Sequence, residues 1–204
     1  MIKTLTFLFL ALLLTSCSSS DNKDTNSTIV KTADKIEKSA TTEITSQKIA
    51  PKTQEVKKNI LTIETLDGKE IHVNEVTGGL TFEEYKGKAV FVILFGYRCP
   101  PCLQEMPNLI ALTEKKYPDL EILAIEVQGL NSDDLKEFKK RKGINYRLAV
   151  GSQNNQFINY IASRAQWQGS IPFFIAFNKK GEVKIIHVGA LNSRQLDSVY
   201  SEID

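Results

Sequence analysis

Ala89-Val90-Phe91-Val92-Ile93-Leu94-Phe95, followed four residues later by Cys99-Pro100-Pro101-Cys102, is the stretch on which the fold turns. The apolar run predicts a strand. The residues after Cys99 predict a helix running through Met106, Leu109 and Ile110, with Pro107 expected to kink it. A strand that delivers a Cys-x-x-Cys to a helix N-terminus places the first thiol against unpaired backbone N–H groups at the positive end of the helix dipole. That environment favours thiolate, the species that attacks disulfides.

Strands and helices alternate on both sides of this unit. Leu61-Thr62-Ile63-Glu64 and Ile71-His72-Val73 flank Asp67-Gly68-Lys69 and predict a hairpin. Leu120 to Val127 predicts a buried strand. A helix then follows, with Ser132 as its cap, Asp133 and Asp134 in its first turn, Leu135 and Phe138 inward and Gly143 as its stop. Tyr146 to Val150 predicts a strand and Gln156 to Ala165 a helix. Beyond Ser170-Ile171-Pro172, the run Phe173–Phe177, a turn at Asn178–Gly181 and Val183–Val188 predict a second hairpin. A last helix carries Leu196, Val199, Tyr200 and Ile203 on one face. The pattern is α/β: a central mixed sheet flanked by helices, with an N-terminal β-hairpin.

The N-terminus carries different information. Lys3 precedes Leu5–Leu14, an apolar run too short to span a bilayer and flanked like a signal peptide. Its end, Leu14-Thr15-Ser16-Cys17, resembles a bacterial lipobox, which implies cleavage before Cys17 and a diacylglycerol on its sulfur. Residues 1–16 are therefore expected to be a signal peptide, 17–57 a lipidated cysteine and flexible tether, and 58–204 the folded domain. Residues 18–57 are rich in Ser, Thr, Lys, Asp and Asn and lack aromatic residues and glycine, with at most a transient helix near Ala33–Ala40. A linker of this length has an r.m.s. reach of roughly 35 Å.

Three cysteines are present. With one taken by lipid, two remain at a spacing suited to redox chemistry, and no second pair completes a zinc site. A chain of 204 residues with 42% hydrophobic content holds one good core but not two. The formal charge of +2 falls to +1 when Lys3 leaves with residues 1–16, which gives no electrostatic footprint for nucleic acid. The basic run Lys139-Lys140-Arg141-Lys142 closes a helix, where cations complement the dipole. His72 and His187 sit in strand-like contexts far apart in sequence, and no metal ligation is expected of them.

The chain resembles thioredoxin-fold, lipid- or membrane-anchored disulfide reductases of the TlpA/ResA/CcmG type. Three stretches carry the resemblance: Tyr85–Phe91 through Cys99–Pro107; the inserted strand–helix element around 120–142; and Ile171-Pro172 through Asn178–Val183 to Val188–Leu191. A Cys-x-x-Cys alone is weakly specific. Followed by Glu105-Met106-Pro107 and, about seventy residues later, by Ile171-Pro172 before a strand, it is strongly specific. The sequence departs from the family at Arg98, where a Trp is usual. It departs again at Ile93, where relatives often place Asp or Asn, so an acid beneath the disulfide must come from elsewhere or be absent. Gly151 to Gly169 matches the family poorly, which bears on partner choice.

The resemblance implies a role for each residue. Cys99 is the expected nucleophile at the exposed helix N-terminus, and the more buried Cys102 resolves the mixed disulfide. Glu105 assists proton transfer at the thiols. Pro172 is cis, and Ile171 before it offers backbone to a substrate strand; Trp167 and Tyr97 are candidates for a partner groove or for packing. Apart from the resemblance, residue chemistry sets two opposed effects: Pro100 and Pro101 remove two donors from the Cys99 thiolate, which makes the couple more reducing, while a cation at Arg98 makes it more oxidising. No cofactor is expected beyond the Cys99–Cys102 couple. The expected activity is that of an exported thiol–disulfide oxidoreductase, monomeric and fed by a membrane thiol-transfer donor. It would reduce protein disulfides, those of apocytochromes c among them. The competing readings are an oxidase or isomerase of envelope disulfides and a metal-carrying lipoprotein. Copper-delivery relatives use a Cys-x-x-x-Cys and a distal His, one residue longer than the spacing here. Ser18 and Ser19 lack the Asp inner-membrane retention signal of enteric bacteria, which points to the periplasmic face of the outer membrane.

Overall fold

Strand β4, Ala89–Phe95, is buried along its whole length because it lies at the centre of a five-stranded sheet. Residues 61–203 are described by the computed structural model; the expectations for the signal peptide, for Cys17 and for the tether lie outside them. The sheet order is β6-β5-β4-β7-β8, with β5 at Leu120–Glu126, β6 at Arg147–Val150, β7 at Phe173–Phe177 and β8 at Val183–Val188. β4, β5 and β6 run parallel; β7 is antiparallel to β4 and β8 antiparallel to β7, which makes the sheet mixed. Period-two alternation sends Phe91, Ile93 and Phe95 to one face and Val90, Val92 and Leu94 to the other.

Three helices cover the first face: α1 at Pro100–Glu114, α2 at Ser132–Lys142 and α4 at Ser193–Glu202. They bury Met106, Leu109, Leu135, Phe138, Leu196 and Val199 against β4 and its neighbours. α1 continues through Pro107. The second face is covered by α3, Asn155–Arg164, through Phe157 and Ile161, and by a small antiparallel sheet. That sheet is larger than the expected hairpin. β1, Leu61–Glu64, and β2, Glu70–Val76, form the hairpin, and a third strand, β3 at Gly79–Phe82, extends it. β3 is held partly from outside its own sheet, because Leu80 N donates to Gly181 O at 2.8 Å and Val183 N to Gly78 O at 3.0 Å.

One cap moves by a residue. α2 is capped by Asn131 rather than Ser132: Asn131 is extended (φ −76°, ψ 172°) and its side chain accepts from Asp134 N at 2.9 Å. The other end matches its signals, with Gly143 in the left-handed region at φ 64° and Lys139, Lys140, Arg141 and Lys142 in the last turn. Among the described residues, no helix is long and apolar enough to cross a membrane.

Candidate redox site

The C-terminal end of β4 passes through Gly96, Tyr97 and Arg98 into Cys99, the N-cap of α1. Cys99 and Cys102 form a disulfide with their Cα atoms 5.2 Å apart. Pro100 and Pro101 occupy the first two helical positions, so the first backbone N–H available to the cap is that of Cys102. It donates to Cys99 Sγ at 3.3 Å. Cys99 was expected to be exposed, but it is only 5% exposed, against 2% for Cys102. Half-buried Ile171 lies against Cys99: the Ile171 carbonyl oxygen stands 3.6 Å from Cys99 Sγ.

Ile171–Pro172 is a cis peptide bond at the start of β7. The antiparallel register brings Phe173 opposite Leu94, so this turn arrives beside the end of β4 that carries the cysteines. Trp167 belongs to the same corner. Its Nε1 donates to the Ser170 carbonyl at 2.7 Å and its ring lies 6.0 Å from that of Phe173, so it supports the turn. Arg98 is exposed. Its guanidinium lies 4.7 Å from the centre of the Tyr97 ring, and the Arg98 backbone N–H donates to Gln128 Oε1 at 2.9 Å.

Glu105 follows Cys102 by three positions, which puts both on one face of α1. It is 1% exposed, inside the apolar cluster of the first face. Burial pushes its carboxyl up to about 7, against one hydrogen bond from Leu191 N at 3.0 Å that favours the charged form. Tyr146 stands near it, its hydroxyl pushed up by burial and further by the Glu105 charge.

A second buried carboxylate was not anticipated. Glu126 ends β5 opposite Phe95 and is fully buried. It accepts backbone N–H bonds from Gln128, Gly129 and Leu130 at 2.9–3.0 Å, and a longer one of 3.4 Å from Tyr97, two residues before Cys99. The signal was a charged residue at the end of the apolar run Ile122–Ile125. Ile93 itself is buried among apolar side chains, so the acids of this region come from α1 and β5. His72 and His187 lie on different sheets, the former paired with Glu84 through Nδ1 at 2.6 Å. Cys17 lies outside the described residues.

Disulfide, cis-proline turn and buried carboxyl together permit reversible thiol–disulfide exchange. Residues 50–203 match the family model described as Redoxin. The thiol–disulfide oxidoreductase ResA of Halalkalibacterium halodurans is 24% identical over 139 residues, covering 66% of this chain and 68% of that protein. The ResA of Geobacillus kaustophilus is 31% identical over 115 residues, covering 56% of this chain and 62% of that protein. Among solved structures, a thioredoxin family thiol:disulfide interchange protein from Chlorobium tepidum TLS superimposes with a TM-score of 0.55 at 22% identity, covering 72% of this chain and 95% of that one. StoA from Bacillus subtilis gives 0.53 at 17%, covering 68% and 94%. At these identities the structures speak for the fold, which is thioredoxin-like.

Proposed function

The chain belongs to the Redoxin family and is a thiol–disulfide oxidoreductase; from that premise we propose that it is an exported reductase of protein disulfides, held at a membrane by lipid on Cys17. The observation that carries the direction is the donor set around Cys99. Two prolines leave the Cys102 N–H as the donor to its sulfur, and the Arg98 guanidinium rests on Tyr97. A thiolate with few donors is poorly stabilised, so the reduced state gives up its electrons readily.

In the reducing direction the Cys99 thiolate attacks one sulfur of a substrate disulfide. The S–S bond breaks, and the departing substrate thiolate takes a proton from water. Cys102 then loses its proton to the Glu105 carboxylate and attacks Cys99 Sγ, which releases the second substrate thiolate and leaves the Cys99–Cys102 disulfide. A carboxyl titrating near 7 is suited to that transfer. The Ile171 backbone, whose carbonyl oxygen stands 3.6 Å from Cys99 Sγ, is the proposed partner of an extended substrate segment. Two electrons return from a membrane thiol-transfer donor. Oxidised Cys-x-x-Cys pairs, such as those of apocytochromes c, are the proposed substrates, and the periplasmic face of an outer membrane is the proposed site.

The reduction potential of Cys99–Cys102, in the soluble chain from Ser18 onward equilibrated with glutathione and dithiothreitol buffers, tests the direction. A value near about −270 mV supports a reductase; one near about −120 mV overturns it in favour of an envelope disulfide oxidant.

A further inference from the structure

The loop after β8 is fastened at three points around the redox site. Gly189 N donates to the Pro172 carbonyl at 2.9 Å. Leu191 N donates to Glu105 Oε1 at 3.0 Å, and the Leu191 carbonyl accepts from Asn108 Nδ2 at 3.1 Å. Both backbone polar groups of one buried residue are thus held by two side chains of α1, three positions apart and on one face. A second bond orients the Asn108 amide: Ser193 Oγ donates to Asn108 Oδ1 at 3.0 Å. With its acceptor turned to Ser193, the amide turns its donor to Leu191. Ser193 opens α4, whose capping box of Asn192 and Gln195 sets the exit of the loop.

A buried carboxylate is stabilised by donors aimed at it and destabilised by their loss. The donor aimed at Glu105 is a backbone group, so its direction depends on whatever holds the Leu191 peptide in place. We propose that Asn108 is a positioning residue for Glu105: by gripping the Leu191 carbonyl it keeps the Leu191 N–H on Glu105 Oε1, and so sets the pH at which Glu105 exchanges its proton. This rests on the proton-transfer role proposed for Glu105. The titratable groups facing Glu105 are Tyr146, just before β6, and the Cys99–Cys102 couple of its own helix. β7 and α4 bring apolar Phe174 and Leu196 to this cluster. Tyr146 is held neutral through the range of interest, so a shift between pH 5 and 9 in the oxidised protein reports Glu105.

The test is a carbon-13 carboxyl NMR titration of the oxidised protein, with Glu105→Gln identifying the resonance. Alongside it runs the pH profile of the rate at which the reduced protein reduces oxidised insulin. In Asn108→Ala the Glu105 midpoint is expected to rise by about one pH unit, since a lost donor leaves desolvation unopposed. In Ser193→Ala, where the amide is merely freed to turn, it is expected to rise by less. The limb of the rate profile near neutral pH should move by the same amount, and Asn108→Ala should move nothing in a Glu105→Gln background. An unchanged Glu105 midpoint in a folded Asn108→Ala protein overturns the proposal. Should Asn108→Ala fail to fold by near-UV circular dichroism, an unchanged midpoint in Ser193→Ala overturns it instead. A midpoint that moves while the rate profile stays fixed supports the positioning role and overturns the proton-transfer role of Glu105.

Discussion

Glu105 binds its proton more tightly in the folded chain than in the unfolded one, because burial raises its carboxyl from 4.5 to about 7. Between those values the folded state holds the extra proton, so its contribution to stability is complete below about pH 4.5 and is lost as pH rises through 7. At about 1.36 kcal/mol per unit the loss is roughly 3 kcal/mol. Urea unfolding of the oxidised protein at pH 5 and pH 8 should show most of that difference, and Glu105→Gln should remove it; an equal slope in both proteins would contradict the assignment. The two thiols separate by trapping. Cys102→Ser keeps an attacking thiol without a resolving one, so mixed disulfides with substrate should accumulate on non-reducing gels, and Cys99→Ser should abolish them. That Cys102 and Glu105 share a buried face of α1 was readable because spacing along one helix fixes which side chains lie together. The burial of Cys99 was not, because it depends on a peptide seventy-two positions away at Ile171.

The first turn of α1 sets how many donors reach the Cys99 sulfur. Pro101→Ala restores an N–H at the second helical position, next to the cap. An added donor stabilises the thiolate and hence the reduced form, so the couple should become more oxidising. One such bond, at about 1 kcal/mol, is on the order of 20–30 mV for two electrons. Redox equilibrium against glutathione reads this directly, and a shift toward more negative potential would refute the donor argument. Elements as a class were legible where hydrophobic period and caps agreed, as in β4, β5 and α4. They were less so where two capping residues stand side by side: Asn131 and Ser132 are both good caps, and backbone conformation chooses the first. β3 was missed because four residues opening on glycine carry almost no periodic signal. Its stability comes from β2 and from Gly181 and Val183, far along the chain.

The two faces of the central sheet divide the work of the molecule. α1, α2 and α4 form the face that holds the thiols and Glu105; the small sheet and α3 close the other. Asn154, just before α3, is the polar tie on that second face. Its Oδ1 accepts Glu64 N at 2.8 Å, and its Nδ2 donates to the carbonyls of Glu64 at 2.9 Å and Val150 at 2.8 Å, so one buried amide joins β1 to the end of β6. This tie was invisible in the sequence, since an asparagine in a loop reads as a surface turn until the fold closes over it. Asn154→Ala strands three backbone groups that the amide satisfied. At about 1–3 kcal/mol for an unmet buried group, partly relieved by water, the protein should lose roughly 2–4 kcal/mol of stability. Amide hydrogen exchange should quicken first at Glu64 and its β2 partners, because β1 is released before the central sheet opens. The reduction potential should hold still, since the Asn154 side chain bonds to Glu64 and Val150, away from α1 and the cis-proline turn. A potential that moved with Asn154→Ala would mean that the second face feeds strain through β4 into the redox loop, and that the two faces are one cooperative unit rather than a site and its support.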